Sequence, residues 1–254
     1  MFDKIKKTIF KSMSTENYLR MLQRGHFFMY GTGMLRFSWI YDCHYFVKKL
    51  IRKGDTVIDI GANLGYYSIL FSRWVGETGH VYSIEPIKIY NQIFMEKTRK
   101  RKNIMLMPYA LGTEEKEVML VSPSHTDYLS SGLPHVYDSQ KDGELVTHKH
   151  TFCANMKKPS DLFGKFEKID YIKCDIEGFE YIVLSEMKEV IERTQPILQV
   201  ELWEDNENLV MDMLSNMGYR SFKVVKGKLA EVTPDNAPKG DWIFIPPSRI
   251  EEFV

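Results

Sequence analysis

The sequence predicts a doubly wound α/β fold, a mostly parallel sheet with helices on both faces. Three observations predict it. From Thr56 onward, short β-branched or apolar runs alternate with amphipathic stretches of helical period. A glycine-containing turn, Gly61 to Gly65, follows the first run. Acidic residues close later runs, at Glu85, Asp175 and Glu201. Ligands of such sheets bind beyond the carboxyl ends of the strands, near the switch point. The residues that follow each strand are therefore the ones to inspect.

Ser14 or Thr15 can cap a first helix carrying Tyr18, Leu19 and Leu22. Residues 25–39 are aromatic, glycine-containing and aperiodic, and read as a hairpin or a cover over a site. A second helix over 41–52 brings Phe46, Val47, Leu50 and Ile51 to one face, and Gly54 ends it. Strands follow at 56–60, 80–84 and 104–110, separated by helices at 65–74 and 87–99. Residues 118–121 read as a fourth strand, added at an edge.

Residues 122–150 are rich in Ser, His, Asp, Gly and Pro. They read as a long loop or an irregular surface hairpin, often a functional cover in a compact domain. The alternation resumes with a strand at 169–174. A helix follows with Phe179, Ile182, Val183, Met187, Val190 and Ile191 on one face, then a strand at 196–202. A helix at 208–217 ends at Gly218, and 220–225 and 242–245 can form an antiparallel pair. The domain reading is a helical and aromatic extension over 1–52 and one ligand-binding domain over 53–254, with 122–150 as an insertion.

Lys plus Arg equals Asp plus Glu at 34 each, so no global attraction to nucleic acid is expected. Cys43, Cys153 and Cys174 are odd in number, widely spaced and without a CxxC pair. That argues against a disulfide framework or zinc site and for free thiols in a reducing, cytoplasmic compartment. No apolar run reaches the roughly 18 residues of a membrane span. Lys4, Lys6, Lys7 and Lys11 interrupt what would be a signal-peptide core. Phe2, Ile5, Ile9 and Met13 can line one side of a basic helix able to rest on an anionic membrane. The plainer reading, adopted here, is a terminal helix that docks on the domain or frays.

The segment Asp59-Ile60-Gly61-Ala62-Asn63-Leu64-Gly65 runs off the first strand. Its glycines permit positive φ and close approach of a ligand. Amides at the next helix's start favour a carboxylate, and Asp59 can accept from an ammonium group. An amino-acid zwitterion suits that combination. A dinucleotide does not: the pattern is Gly61-x-x-x-Gly65 rather than GxGxxG, and Asp59 would repel two phosphates. Glu85, about 20 residues beyond the glycine turn, can hold two ribose hydroxyls. In Lys173-Cys174-Asp175-Ile176-Glu177-Gly178-Phe179-Glu180, three carboxylates follow one strand. Such a cluster binds a cation or hydroxyl, or raises one pKa. Glu180 fits an ordinary helix N-terminus, whereas Asp175 and Glu177 read as functional.

The segments "GDTVIDIGANLGYYSILFS", "VYSIEP", "YALGT", "IDYIKCDIEGFEYIVL" and "PILQVEL" together resemble the FkbM family of S-adenosylmethionine-dependent methyltransferases. The resemblance covers roughly residues 54–245. It implies a class I methyltransferase, Rossmann-like sheet of seven strands with one antiparallel strand near the edge. It also implies that Asp59, Gly61, Asn63 and Gly65, with Ala62 and Tyr66 beside them, hold the methionine part. Glu85, with Pro86 after it, would hold the ribose. Tyr109, Ala110 and Leu111 would flank the adenine, and Asp175 would face the methionine end and the methyl group.

The implied reaction is O-methylation of a sugar, glycan or natural-product-like acceptor. An alcohol must lose its proton to a base, or to a metal-bound site, before it is a good nucleophile. Asp175, Glu177 and Glu201 are the catalytic candidates, with Glu177 and Glu201 as base. The same three could offer oxygen ligands to a divalent ion such as Mg²⁺. His125, His135, His148 and His150 are weaker candidates. Trp39, the Phe27–Phe28 pair and Tyr128 could stack on a sugar or cover an apolar acceptor, although ordinary packing is the stronger reading for each. Two competing readings share parts of the pattern. An NAD(P)-dependent oxidoreductase shares the strand–turn–helix and the acidic second strand, but lacks "KCDIEGFE". A non-catalytic nucleoside-binding module would not need Asp59, Glu85 and Asp175 together.

Overall fold

The computed structural model describes residues 8, 10–122, 129, 134–144, 148, 150–202, 204–232 and 240–253. The basic segment 1–7, Ile9, His125 and Tyr128 lie outside the described residues. From the amino end come α1 (Thr15–Gly31), α2 (Asp42–Phe46), β1 (Thr56–Ile60), α3 (Tyr66–Val75), β2 (His80–Ile84), α4 (Lys88–Thr98) and β3 (Ile104–Met107). Then follow β4 (Ala110–Leu111), β5 (Lys116–Val121), β6 (His135–Val136), α5 (Ser139–Asp142), β7 (Thr151–Lys157) and α6 (Pro159–Phe163). The rest is β8 (Tyr171–Cys174), α7 (Glu180–Glu186), α8 (Lys188–Thr194), β9 (Ile197–Val200), α9 (Glu204–Asn216), β10 (Arg220–Val225), β11 (Lys228–Glu231) and β12 (Trp242–Ile245).

The larger sheet runs β11-β10-β12-β9-β8-β1-β2-β3. Strands β3, β2, β1, β8 and β9 are mutually parallel, and β12 is antiparallel to both β9 and β10. This is the doubly wound class I methyltransferase-like α/β fold expected. The central strands are buried on both faces, so their side chains divide by the period of two. Ile58, Ile172, Leu198 and Phe244 join one core with α7, α8 and α9. Val57, Tyr171, Ile197 and Ile243 join a second core with Tyr67, Phe71 and Val75 of α3. Trp242 is fully buried, and its indole N–H donates to Glu207 Oε1 at 2.7 Å.

Several expectations are corrected. The sheet has eight strands, not seven. Lys226 (φ 51°) and Gly227 (φ 72°) form a two-residue turn in the left-handed region, and β11 folds back on β10. The third strand stops at Met107, because Pro108 has no N–H to continue the ladder. Residues 118–121 are not an edge of the large sheet. They belong to β5 in a second sheet, β4-β7-β5-β6, because β7 returns antiparallel along all of β5. Residues 122–150 therefore connect two paired strands. Residues 25–39 are no hairpin: α1 runs to Gly31, with Ser14 accepting from Asn17 N–H at its start. Two 3₁₀ turns follow, Met34–Phe37 and Trp39–Tyr41. Tyr18 and Leu19 seat α1 against Leu64, Ile87, Tyr90 and Ile93. No helix among the described residues is long and apolar enough to cross a membrane.

Candidate active site

A buried polar row crosses the centre of the large sheet one residue before the strands end. Ser83, Asp59, Lys173 and Gln199 are successive register partners on β2, β1, β8 and β9. All four are at most 4 % exposed. Helix α3 covers the row. Ser68 Oγ donates to Asp59 Oδ2 and meets Ser83 Oγ at 2.8 Å. Tyr171 O–H donates to Gln199 Oε1, and Gln199 Nε2 donates to Tyr67 Oη and Asp241 Oδ2. Tyr67 Oη lies 2.8 Å from His44 Nδ1 but 3.5 Å from Asp241. Having accepted from Gln199, the phenol has two acceptors in reach: the Asp241 carboxylate and, in the Nε2–H tautomer, His44 Nδ1. Burial holds His44 down to about 3 and His26 to about 4, so both are neutral.

Asp59 Oδ1 is buried and has no hydrogen-bond partner, with Lys173 Nζ 4.0 Å away. Burial pushes this carboxyl up, opposed by Lys173 and Ser68. Beyond it, Gly61 (φ 79°) and Asn63 (φ 52°) turn the chain. Gly61 does not clear space for a ligand: a Cβ there would strike the Asp175 carbonyl, so the glycine lets the two acidic turns touch. Gly65 (φ 82°) abuts the Phe94 ring and likewise serves packing. Glu85 grips both sides of the turn, accepting from Asn63 N–H at 2.9 Å and Ile87 N–H at 2.8 Å. Burial lifts its carboxyl to about 7, against the pull of those two amides.

The second acidic turn leaves β8. Lys173 Nζ donates to Asp175 Oδ2 at 2.9 Å and sits 5.1 Å above the Tyr67 ring. Burial opposes ionisation of Asp175. Lys173 beside it and a hydrogen bond from Glu201 outweigh burial and hold it below the usual carboxylate range. Glu201, buried and facing that charge, is pushed up and keeps its proton. Glu177 (φ 52°) is raised to about 8, by burial first and then by Asp175. Glu180 sits at the start of α7, as expected, and accepts from the N–H groups of Ile176 and Gly178 on either side of Glu177.

These groups line one cavity of about 330 Å³ at the carboxyl edge of the sheet. Of the residues read from sequence, Asp59, Gly61, Ala62, Asn63, Tyr66, Glu85, Pro86, Tyr109, Ala110, Leu111, Asp175, Glu177 and Glu201 are on its wall; Gly65 is not. Of the four histidines only His135 lines it among the described residues, and its Nε2 is 2.8 Å from Asp142 Oδ1. His148 is held by the carbonyls of Ser122 and Asp142, and His150 packs against Phe10. Phe27 packs on Tyr66, while Phe28 and Trp39 are exposed and off the wall. His44, Tyr67, Lys173, Phe179 and the 134–136 segment line the cavity without having been singled out. One local signal marks part of this set: Ser83, Asp59, Lys173 and Gln199 are each a polar residue one place before the end of a mostly apolar strand. His44 has no such mark, because only the tertiary fold brings α2 to α3.

Asp175, Glu177 and Glu201 can bring one oxygen each within 4.8 Å of one another, as a metal site requires. The donor set fits a divalent ion poorly. Lys173 already supplies a cation to Asp175, and Glu201 and Glu177 would both have to lose protons.

The family described as Methyltransferase FkbM domain matches residues 59–221. No curated protein sequence matches the chain. The crystal structure of Methyltransferase FkbM from Methylobacillus flagellatus KT is similar, with a TM-score of 0.53 and 18 % identity over 80 % of this chain and 47 % of that one. The present chain thus spans about half the length of that relative. A SAM-dependent methyltransferase from Aquifex aeolicus aligns at a TM-score of 0.42 and 18 % identity, over 82 % of this chain and 89 % of that one. Fibrillarin from Aeropyrum pernix, with natively bound S-adenosyl-L-methionine, aligns at 0.43 and 12 % identity, over 78 % and 68 %. With well over half of its residues inside the matched span, the chain belongs to the FkbM methyltransferase domain family.

Proposed function

We propose that the cavity binds S-adenosylmethionine and that the chain transfers its methyl group to a hydroxyl oxygen of a sugar, glycan or natural-product-like acceptor. Asp59 carries the reading: its buried Oδ1 has no hydrogen-bond partner, and the residue lines a cavity that also holds Glu85 and Asp175. An ammonium group supplies the missing donor, and ribose hydroxyls suit the remaining lone pairs of Glu85.

The methyl group arrives already activated on a sulfonium, so the chain has to position the acceptor and remove its proton. Asp59, Gly61, Ala62, Asn63 and Tyr66 would hold the amino-acid end, with Gly65 setting the turn from behind. Glu85 and Pro86 would hold the ribose, and Tyr109, Ala110 and Leu111 the adenine. Asp175 would face the methionine end. Glu177 would take the acceptor's proton, because a carboxyl lifted to about 8 is a stronger base once ionised than an ordinary one. Glu201, which holds a proton for Asp175, orients that carboxylate. No metal step is invoked. The proposed setting is the cytoplasm, consistent with free thiols at Cys43, Cys153 and Cys174.

Calorimetry with S-adenosylhomocysteine and with NAD tests the cofactor. Affinity for the first alone is expected, and affinity for NAD alone would revive the oxidoreductase reading. Labelled methyl transfer into fractionated glycans, lipids and small metabolites tests the acceptor. A labelled nitrogen or carbon product would refute O-methylation.

A further inference from the structure

We propose that the segment 28–40 docks this chain on an anionic lipid bilayer. Among the described residues, eleven large apolar side chains are exposed, and seven of them lie between Met21 and Ile40. Phe37 is 94 % exposed, Ile40 62 % and Trp39 60 %. The local fold holds them out. Gly33 (φ 77°) turns the chain after α1 into the two short 3₁₀ turns, and Leu35 alone is buried as their anchor. Packing of the domain therefore does not account for Phe37, Trp39 and Ile40, and exposed apolar side chains concentrated in one segment mark a contact site.

Charge selects the occupant. Among the described residues up to Lys53, Lys and Arg outnumber Asp and Glu by eight to two, whereas the whole chain is balanced at 34 each. Arg24 is exposed beside Met21 and Phe28, and Arg36 and Lys48 are exposed beside residues 30–33. A surface that is both basic and apolar complements anionic headgroups over hydrocarbon. Nucleic acid would satisfy the charge and stack on Phe37 or Trp39, but it offers nothing to Ile40, Met34 or Met29. The surface also adjoins the cavity, because His26 and Phe27 of α1 pack on Tyr66 of its wall.

Co-sedimentation with phosphatidylcholine vesicles, with and without phosphatidylglycerol, tests the proposal on the full chain. Binding is expected only to the anionic vesicles, weakened by salt. A Phe37→Ser/Trp39→Ser/Ile40→Ser variant should bind at least tenfold less with an unchanged melting temperature, and Arg24→Glu/Lys48→Glu should behave likewise. Failure of the wild type to bind anionic vesicles overturns the proposal, as does undiminished binding by the serine variant. Two further results overturn it: a lipid-free dimer that the serine variant dissolves, and a preference for RNA over vesicles.

Discussion

Asp59 and Lys173 are register partners on neighbouring parallel strands, and the Lys173 ammonium lies 4.0 Å from Asp59 and 2.9 Å from Asp175. Burial alone would strip the proton from this lysine, but Asp175, Asp59 and Asp241 together raise its pKa above the ordinary value. One buried cation thus sets the charge of both acidic turns. Lys173→Met keeps the stem and removes the charge. We expect it to cost about 3–5 kcal/mol in chemical denaturation, the usual penalty for orphaning a buried charge. Affinity for S-adenosylhomocysteine should fall at least about tenfold, or about 1.4 kcal/mol. A variant as stable as wild type would show that Asp59 and Asp175 do not depend on this lysine.

Glu177 must be ionised to accept a proton, and its carboxyl is lifted to about 8. The rate of methyl transfer should therefore rise with pH and level off above about 8. Glu177→Gln should lower the maximum by about 10²–10⁴-fold, the range for losing a general base, and abolish that rise. An unaltered pH profile in the variant would move the base elsewhere.

The same raised carboxyl bears on stability. The unfolded chain releases this proton near 4.5 and the folded chain near 8, so in between the native state binds more protons and stability falls as pH rises. His26 and His44 act oppositely, being neutral when folded, but only below 6.5, where the unfolded imidazoles gain protons. Between pH 6.5 and 8 the imidazoles therefore drop out, and Glu201 and Glu85, also lifted by burial, add to the fall that Glu177 causes. Melting temperature should decline across this window in wild type and decline less in Glu177→Gln. A melting temperature that rises across that window would contradict the burial of this side chain.

Gly61→Ala places a methyl group against the Asp175 backbone in a left-handed conformation. A loss of at least about 2 kcal/mol is expected, from overpacking and backbone strain together. Thermal unfolding reads the first effect, and a weakened shift with S-adenosylhomocysteine reads the separation of the two turns. An alanine variant that melts like wild type would mean that the turns have room to part.

The parallel strands were legible because burial on both faces leaves a short, mostly apolar and β-branched run, as in residues 56–60 and 80–84, whose bounds match β1 and β2. The acidic strand ends were legible for a complementary reason: Glu85, Asp175 and Glu201 each stand directly after such a run, where the chain leaves the sheet. What was not legible depends on partners distant in sequence. Residues 118–121 look like any half-buried strand, and only their pairing with β7 assigns them to a second sheet. Gly61 reads as room for a ligand until Asp175 is seen to fill that room. His44 lies in a short helix whose apolar neighbours gave the only pattern, and its bond to Tyr67 spans 23 residues.

The cavity's floor and ceiling belong to different hydrogen-bonded units. Asp59, Glu85, Asp175 and Glu201 stand on or just beyond strands of the large sheet, whereas Leu120 and residues 134–136 reach in from the small one. A graft of residues 116–157 from a relative would therefore replace the ceiling while leaving the carboxylate grip below untouched. Such a graft tests whether the paired β5 and β7 shape the pocket for the acceptor that we propose.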